Sequence, residues 1–153
     1  MQIKNKNGKV IHQGGKTLVF EELDLRDAVM AGLTLEGAHF DDTNLAGANF
    51  RGADLYWAGF FRANLMDADL EGARLQGADL KQSNLNNANL RNANLGRDNL
   101  GGSTQLQGAS LIGAILVGAS FEGAEYDEQT KFPANFDPRQ HKMILKEKKN
   151  TKT

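Results

Sequence analysis

Large apolar residues recur every five positions along most of this chain. Sixteen of them, from Leu25 to Leu100, follow one another at steps of five, and the next step, to Leu106, is six. The five-residue step then resumes and continues to Tyr126. We call the large apolar residue of each repeat its centre. The second residue before a centre is usually Ala, which indicates a narrow interior with one large side chain per repeat.

Neither regular secondary structure accommodates a period of five. On an α-helix, five residues advance the centre by about 140° net, so the centres would spread around the helix. On a β-strand, an odd period would place successive centres on opposite faces. The backbone must therefore turn once in each repeat. This predicts a solenoid that has one short extended piece and one turn per repeat.

The tandem segments AGANF, RGADL, MDADL, QGADL and NNANL resemble the pentapeptide-repeat family over about residues 20–126. The resemblance implies an all-β fold, a right-handed quadrilateral parallel β-helix (a solenoid), with four repeats in each coil. Residues twenty apart would then stack in adjacent coils. On that geometry, Asn44, Asn64 and Asn84 should form a ladder of stacked amides.

Both ends of the coil require a cap, because a bare coil exposes a sheet edge. Residues 1–17 are predicted to be an N-terminal capping hairpin, in which strands within Ile3 to Gln13 flank the turn signal Asn7-Gly8. Residues 18–130 are assigned to the pentapeptide-repeat β-helix.

Residues 131–153 are predicted to be a C-terminal cap followed by a tail. Phe132 and Phe136 are expected to close the last coil. Asp137-Pro138 offers an N-cap and a first-turn proline, which predicts a short C-terminal helix through Leu145. The polar, basic residues 146–153 are expected to be disordered.

Composition and charge narrow the function. The chain has 153 residues and no Cys, so no disulfide framework or thiolate chemistry is expected. It has no long apolar run and no secretory signal at its start, so we expect a cytoplasmic protein without a membrane partner. Residues 16–130 contain 17 acidic and 8 basic residues, whereas both ends are basic. We interpret the acidic body as a solvated surface and expect no direct nucleic acid binding.

The first candidate site is a group of residues between the centres: Tyr56, Trp57, Phe61 and Arg62. The stacking rule places these side chains outside the coil, with Trp57 between Gly37 and Gly77. Arg62 and Lys81 are expected within cation–π reach of the rings. Two interpretations remain open: the rings cover glycine backbone, or they form a recognition patch for a partner.

The second candidate site is the break in the repeat at residues 96–106, represented by Arg97, Asp98, Gly101 and Gly102. The six-residue step indicates a one-residue insertion that forms a bulge or small loop, in which the glycines allow positive φ. Asp98 stands where most repeats have Ala, and a bulge would let its carboxylate accept backbone N–H groups. A partner-contacting loop is the alternative interpretation.

Catalytic chemistry has little support in the sequence. His12, His39 and His141 are far apart, no residues show metal-ligand spacing, and no phosphate-binding motif occurs. We therefore expect no enzyme, no metal and no cofactor.

The sequence favours a non-catalytic scaffold of unknown role that binds a protein partner through its outer faces. The alternative is a DNA-mimicking binder of DNA gyrase that inhibits or protects the topoisomerase, as the family resemblance allows. Arginines interleaved with the acidic residues weigh against mimicry, and so does the short, basic C-terminal segment. The oligomeric state is expected to be a monomer, or a weak dimer through the C-terminal segment.

Overall fold

The computed structural model describes residues 1–14 and 18–147, and a coil of stacked repeats occupies most of it. Parallel β-bridges join residues twenty apart, such as Asn44 to Asn64 and Asn64 to Asn84. Four five-residue repeats therefore complete one turn, as predicted. The three asparagines stack as expected, but among the described residues only the first pair forms an amide hydrogen bond, from Asn64 Nδ2 to Asn44 Oδ1 at 3.2 Å, whereas Asn84 Oδ1 accepts the N–H of Asn86.

Named strands occur only near the two ends: β1 (Gln2–Asn5), β2 (Val10–Gln13), β3 (Ala28–Val29), β4 (Glu125–Tyr126) and β5 (Ile144–Leu145). The first three form a sheet in the order β2-β1-β3, with antiparallel pairing, and β4 pairs with β5 in parallel. Elsewhere each face of the coil is so short that it contributes a single bridged residue. The described residues contain no helix, and hence none able to cross a membrane.

Two features of the sequence stabilise the turn at each corner. The residue before a centre is often Asp or Asn, and its side chain accepts the N–H of the residue after the centre, as Asn49 does from Arg51 at 3.0 Å. The second residue of the turn usually has a positive φ, as Gly47 does at 69°, which favours glycine. The repeat therefore specifies both the inward residue and the turn that follows it.

The centres and the small residues before them fill the interior. Every centre from Leu25 to Leu95 is buried, and the flanking alanines pack beside them. Three aromatic centres form a stacked column, with ring centroids 4.9 Å apart between Phe20 and Phe40 and 5.0 Å apart between Phe40 and Phe60. The predicted inward direction is therefore confirmed over these coils.

The prediction that Leu100 is a centre is wrong. Its side chain is 85% exposed, and the next stacked centre is Leu106, since Asp79 bridges to Gln105 rather than to a residue twenty positions on. The insertion comprises the six residues 98–103, not one. Leu100 falls on the five-residue step by coincidence, whereas Thr104 takes the buried position two residues before Leu106.

The N-terminal hairpin is confirmed. β1 and β2 pair in antiparallel fashion around Asn7 and Gly8, and β1 also pairs with β3 in the first coil. Ile3 is fully buried against the core. The hairpin therefore covers backbone groups that the first coil would otherwise expose.

The predicted C-terminal helix is wrong. Asp137 caps a turn as expected, because its Oδ1 accepts the N–H of Arg139 at 2.9 Å. The turns that follow end at Lys142, whose φ is 54°. The chain then enters β5, which satisfies the open edge of β4, with the N–H of Ile144 donating to Ala124 at 2.8 Å. Pairing with this edge replaces the helix that the local signals favoured.

Phe132 and Phe136 pack against the last coil, as predicted for the cap. Their rings stack at 5.0 Å, and Phe136 also contacts Phe121 at 5.4 Å between centroids. Lys146 and Glu147 continue from β5, whereas the rest of the predicted disordered tail, residues 148–153, lies outside the described residues.

Candidate functional site

Trp57 lies at a corner of the coil, on the outside, as the stacking rule predicts. Its backbone N–H donates to the carbonyl oxygen of Gln76 in the next coil at 3.1 Å, and its side chain is half exposed. The indole leans over Gly77, where a methyl group would stand 3.1 Å from Nε1, whereas Gly37 has open space beside it. The ring therefore packs on one of its two flanking glycines and leaves the other uncovered.

The inserted residues 98–103 form a compact loop built around Asp98. The Oδ1 atom of Asp98 accepts the N–H of Leu100 at 2.8 Å and that of Gly102 at 2.6 Å. Its own N–H donates to the carbonyl of Gly102 at 2.8 Å. Gly101 has a φ of 86°, which the chain requires to close this turn. The prediction that Asp98 accepts backbone N–H groups is confirmed.

The loop folds back onto Trp57, so the structure brings the two candidate sites together. A methyl group at Gly102 would stand 2.8 Å from Cζ2 of Trp57 and 2.5 Å from Oδ2 of Asp98. Glycine is therefore required at position 102 for the loop to pack against the indole. We call the group formed by Tyr56, Trp57 and the loop 98–103 the Trp57 corner.

Asp98 is ionised at the base of this loop although only 6% of its surface is exposed. Burial raises the pKa of its carboxyl group. Hydrogen bonds from the N–H groups of Gly102 and Leu100, together with the polar groups of Trp57 and Tyr56, lower the pKa by more than burial raises it, so the net pKa is below its ordinary value. No described residue makes a well-formed hydrogen bond to Oδ2. The carboxylate therefore holds the loop backbone through Oδ1, while Oδ2 lies on the side of the indole without a hydrogen bond of its own.

Phe61 and Arg62 occupy the next corner. Arg62 forms a two-fold hydrogen bond with Asp42 in the preceding coil, from Nε and Nη2 at 2.7 Å each. The pKa of Asp42 is lowered because of the hydrogen bond from Arg62. The guanidinium carbon lies 4.8 Å from the centroid of the Phe61 ring, as predicted, but Lys81 pairs instead with Asp79.

Arg97 belongs to the same break in sequence but not to the Trp57 corner. Its N–H donates to Glu122 in the last coil at 2.9 Å, and its side chain lies over Gly123. Arg97 therefore faces the C-terminal side of the loop, away from the indole.

Sequence reasoning missed two residues that support the corner. Thr104 Oγ1 accepts the N–H of Gly77 at 3.1 Å and lies 2.8 Å from the carbonyl oxygen of Leu75. These contacts join the residue that follows the loop to the preceding coil. Arg74 places its guanidinium carbon 5.9 Å from the centroid of the Tyr56 ring. A signal for Thr104 was present, since it stands two residues before Leu106.

Comparisons with known proteins agree with the repeat assignment. The family model described as pentapeptide repeats matches 8 copies, over residues 20–58, 63–100 and 104–125. This match continues through Leu100, where the structure shows the inserted loop instead. No curated protein sequence matches this chain.

Among solved structures, the chain is similar to a pentapeptide repeat protein from the Arabidopsis thaliana thylakoid lumen, with 35% identity over 78% of this chain and 73% of that one, and a TM-score of 0.49. It is also similar to Rfr23 from the cyanobacterium Cyanothece 51142, with 24% identity over 75% and 91% of the two chains and a TM-score of 0.52.

A third similar structure is trypsin-treated QnrB1, a plasmid-mediated fluoroquinolone resistance protein. The identity is 20% over 84% of this chain and 64% of that one, and the TM-score is 0.50. At these identities, the likenesses to Rfr23 and QnrB1 show a shared fold.

Proposed function

Because this chain belongs to the pentapeptide repeat family, whose members are generally non-catalytic scaffolds, we propose that it is a scaffold that binds a protein partner through its outer faces. The Trp57 corner is the observation that carries this proposal. A half-exposed indole, a fixed loop and the side chain of Leu100, which at 85% is the most exposed large apolar side chain of the described residues, meet on one part of the surface. Exposed aromatic and large apolar side chains are the usual anchors of protein interfaces.

The backbone at these corners also supports a role beyond folding. Trp57 and Arg62 have φ values of 58° and 55°, in a turn position where many other repeats have glycine. A left-handed conformation costs a bulky residue roughly 1–2 kcal/mol. Two large side chains are thus held outward at positions where glycine would be more stable for the backbone.

The loop is ordered before any partner arrives. Asp98 fixes the N–H groups of Leu100 and Gly102, and the indole of Trp57 supports the loop from below. A loop whose backbone is already held loses little backbone entropy on binding, so its contacts contribute more to affinity. This favours a partner with an apolar pocket that accepts the side chain of Leu100.

The charge distribution supports a protein partner rather than nucleic acid, since the acidic body repels a phosphate backbone. The pairing of arginines with these acidic residues weighs against the alternative of a DNA-mimicking gyrase binder. Arginines pair with carboxylates across coils, as Arg51 does with Glu71 at 2.6 Å and Arg74 with Asp54 at 2.8 Å. These pairs interrupt any continuous acidic stripe on the corners that they occupy.

For the oligomeric state, we propose a monomer or a weak dimer through the C-terminal segment and the last coil that it covers. On the last coil, the exposed side chains of Ile115 and Val117 lie beside a shallow open depression lined by Leu116 and Phe136. Within the described residues, the N–H groups of Leu116 and Phe121 have no hydrogen-bond acceptor. Sedimentation across a range of concentrations would distinguish the two states.

The scaffold proposal is tested by capturing partners from the source lysate with the wild-type chain and with a Trp57→Ala, Phe61→Ala double variant. The matched control is Met66→Ala, which removes an exposed apolar side chain from the corner diagonally opposite Trp57. We expect the double variant to lose a partner that both wild type and control retain. An identical set of captured proteins for all three chains would contradict a binding role for this surface.

A further inference from the structure

We propose that Glu21, His39 and Asp41 form a binding site for a divalent transition-metal cation of the Zn²⁺ class. His39 and Asp41 are two residues apart in sequence, and the coil brings the more distant Glu21 beside them. Glu21 and Asp41 are twenty residues apart and stack in adjacent coils, and His39 lies beside them. One ligand atom from each side chain lies within 4.8 Å of the other two, and Nδ1 of His39 is 3.9 Å from Oε1 of Glu21.

Gly59 gives Asp41 a defined position in this cluster. In most neighbouring repeats, the residue before the centre accepts the N–H of its own turn, as Asn64 does from Met66 at 3.2 Å. Gly59 has no side chain, so Oδ1 of Asp41 reaches across from the preceding coil and accepts the N–H of Phe61 at 2.9 Å. A methyl group at Gly59 would stand 2.9 Å from that oxygen.

This arrangement leaves the second carboxylate oxygen of Asp41 available beside the imidazole. Gly59 bridges directly to His39, and the place that its side chain would take is met by the Asp41 carboxylate. The φ of Gly59 lies outside the left-handed region, so the turn itself does not require glycine at this position. The glycine is therefore explained by the room it gives to Asp41.

Electrostatics favour a cation at this position. Glu21 and Asp41 carry like charges one coil apart, and Asp42 lies next to them. The guanidinium of Arg62 forms its two short hydrogen bonds with Asp42 and interacts with Asp41 only through its charge. Stacked like charges repel each other, and a dication between Glu21 and Asp41 would relieve this repulsion.

The donor set selects the class of ion. One imidazole nitrogen with two carboxylate oxygens suits Zn²⁺ and neighbouring transition metals, whereas Mg²⁺ and Ca²⁺ prefer oxygen ligands alone. Zinc bonds of about 2 Å place ligand atoms roughly 3.3 Å apart, so the side chains must close by about an ångström. Their exposure leaves room for this movement, because the side chains of His39 and Glu21 are 56% and 50% exposed. Three protein ligands leave a fourth position for water.

A bound metal ion would link Glu21 in the first coil to Asp41 in the second, close to the N-terminal hairpin. A cation that binds only the folded chain raises its thermal stability by mass action. This inference is independent of the proposed partner surface, since the Trp57 corner shares none of its three ligands.

The test is a titration of the untagged, EDTA-dialysed full chain with ZnCl₂, followed by calorimetry and by thermal unfolding. We expect saturable binding of one Zn²⁺ per chain, with a rise in the unfolding temperature. His39→Asn should weaken the affinity at least tenfold. Gly59→Ala should also weaken it, because its methyl group displaces the Asp41 carboxylate. His141→Asn, at the opposite end of the molecule, is the matched control and should bind like wild type.

Several results would overturn the proposal. One is the absence of saturable Zn²⁺ binding to the wild-type chain, and another is equal affinity in wild type and His39→Asn. Equal affinity for Mg²⁺ and Zn²⁺ would contradict the role given to the imidazole. Far-UV circular dichroism of each variant without metal establishes that a lost affinity is not a lost fold.

Discussion

Phe60 and Phe61 are adjacent in sequence, but one points into the coil and the other lies outside it, so they offer a direct test of the five-residue repeat. Phe60 is fully buried, whereas Phe61 lies partly exposed at the following corner. The same substitution, Phe to Ala, can be made one position apart. The difference between the two variants then reports which side of the wall each ring occupies.

The structure sets the expected magnitudes. Phe60→Ala leaves a cavity in the core, which costs about 3–5 kcal/mol in typical proteins. It also removes the stacked contact with Phe40 at 5.0 Å and the edge contact with Phe50 at 6.0 Å. Aromatic pairs contribute about 0.5–1.5 kcal/mol each beyond their buried area, so we expect the upper end of that range. Phe61→Ala loses mainly a cation–π contact with Arg62 and some packing, about 1 kcal/mol.

The assay is urea unfolding followed by far-UV circular dichroism, with the emission of the single Trp as a second probe. Because solenoid stability is spread over neighbouring coils, the comparison between the two variants is more informative than either value alone. Equal losses, or a larger loss for Phe61→Ala, would refute the inward assignment of Phe60 and with it the repeat register.

Three further predictions concern the Trp57 corner and its loop. Trp57→Gly should be more stable than Trp57→Ala by about 1 kcal/mol, because glycine relieves the left-handed backbone, and equal stability in urea unfolding would contradict the strain. Since the folded pKa of Asp98 lies below its ordinary value of 3.8, the ionised carboxylate stabilises the loop at neutral pH, and this stabilisation is lost as the pH falls through the folded pKa. An acid titration of Trp emission should therefore show a transition below pH 3.8 that Asp98→Asn lacks, and the same curve in both chains would count against it. Deleting residues 98–103 should leave a folded coil, because Leu95, Gly96, Arg97, Thr104, Gln105 and Leu106 then form an uninterrupted repeat; loss of the far-UV spectrum would show that the loop is needed for folding.

The repeat itself was predictable because its signal is local and redundant. A period of five, with a small residue before each centre, excludes helices and flat strands and requires a turn in every repeat. The hairpin around Asn7 and Gly8 followed from an equally local turn signal. Both features depend on residues close in sequence, where stereochemistry restricts the backbone.

The errors arose where distant residues decide the local structure. Leu100 kept the five-residue step, but Asp98 in place of Ala denied it an interior position, and the loop instead packed on Trp57 some forty residues away. The turns after Asp137 have helical signals, but the open edge of β4 offered Ile144 a better hydrogen-bond partner. His39 and Asp41 are close in sequence, but the turn was expected to separate their side chains, and only stacking of the coils brings Glu21 beside them.

We propose that the Trp57 corner binds a partner and that its loop is an addition to an intact coil. The most direct measurement compares the wild-type chain with the chain lacking residues 98–103, using the partner that wild type captures. We predict that the shortened chain retains its far-UV spectrum and cooperative unfolding but no longer binds that partner. A folded, shortened chain that binds with the affinity of wild type would contradict the claim.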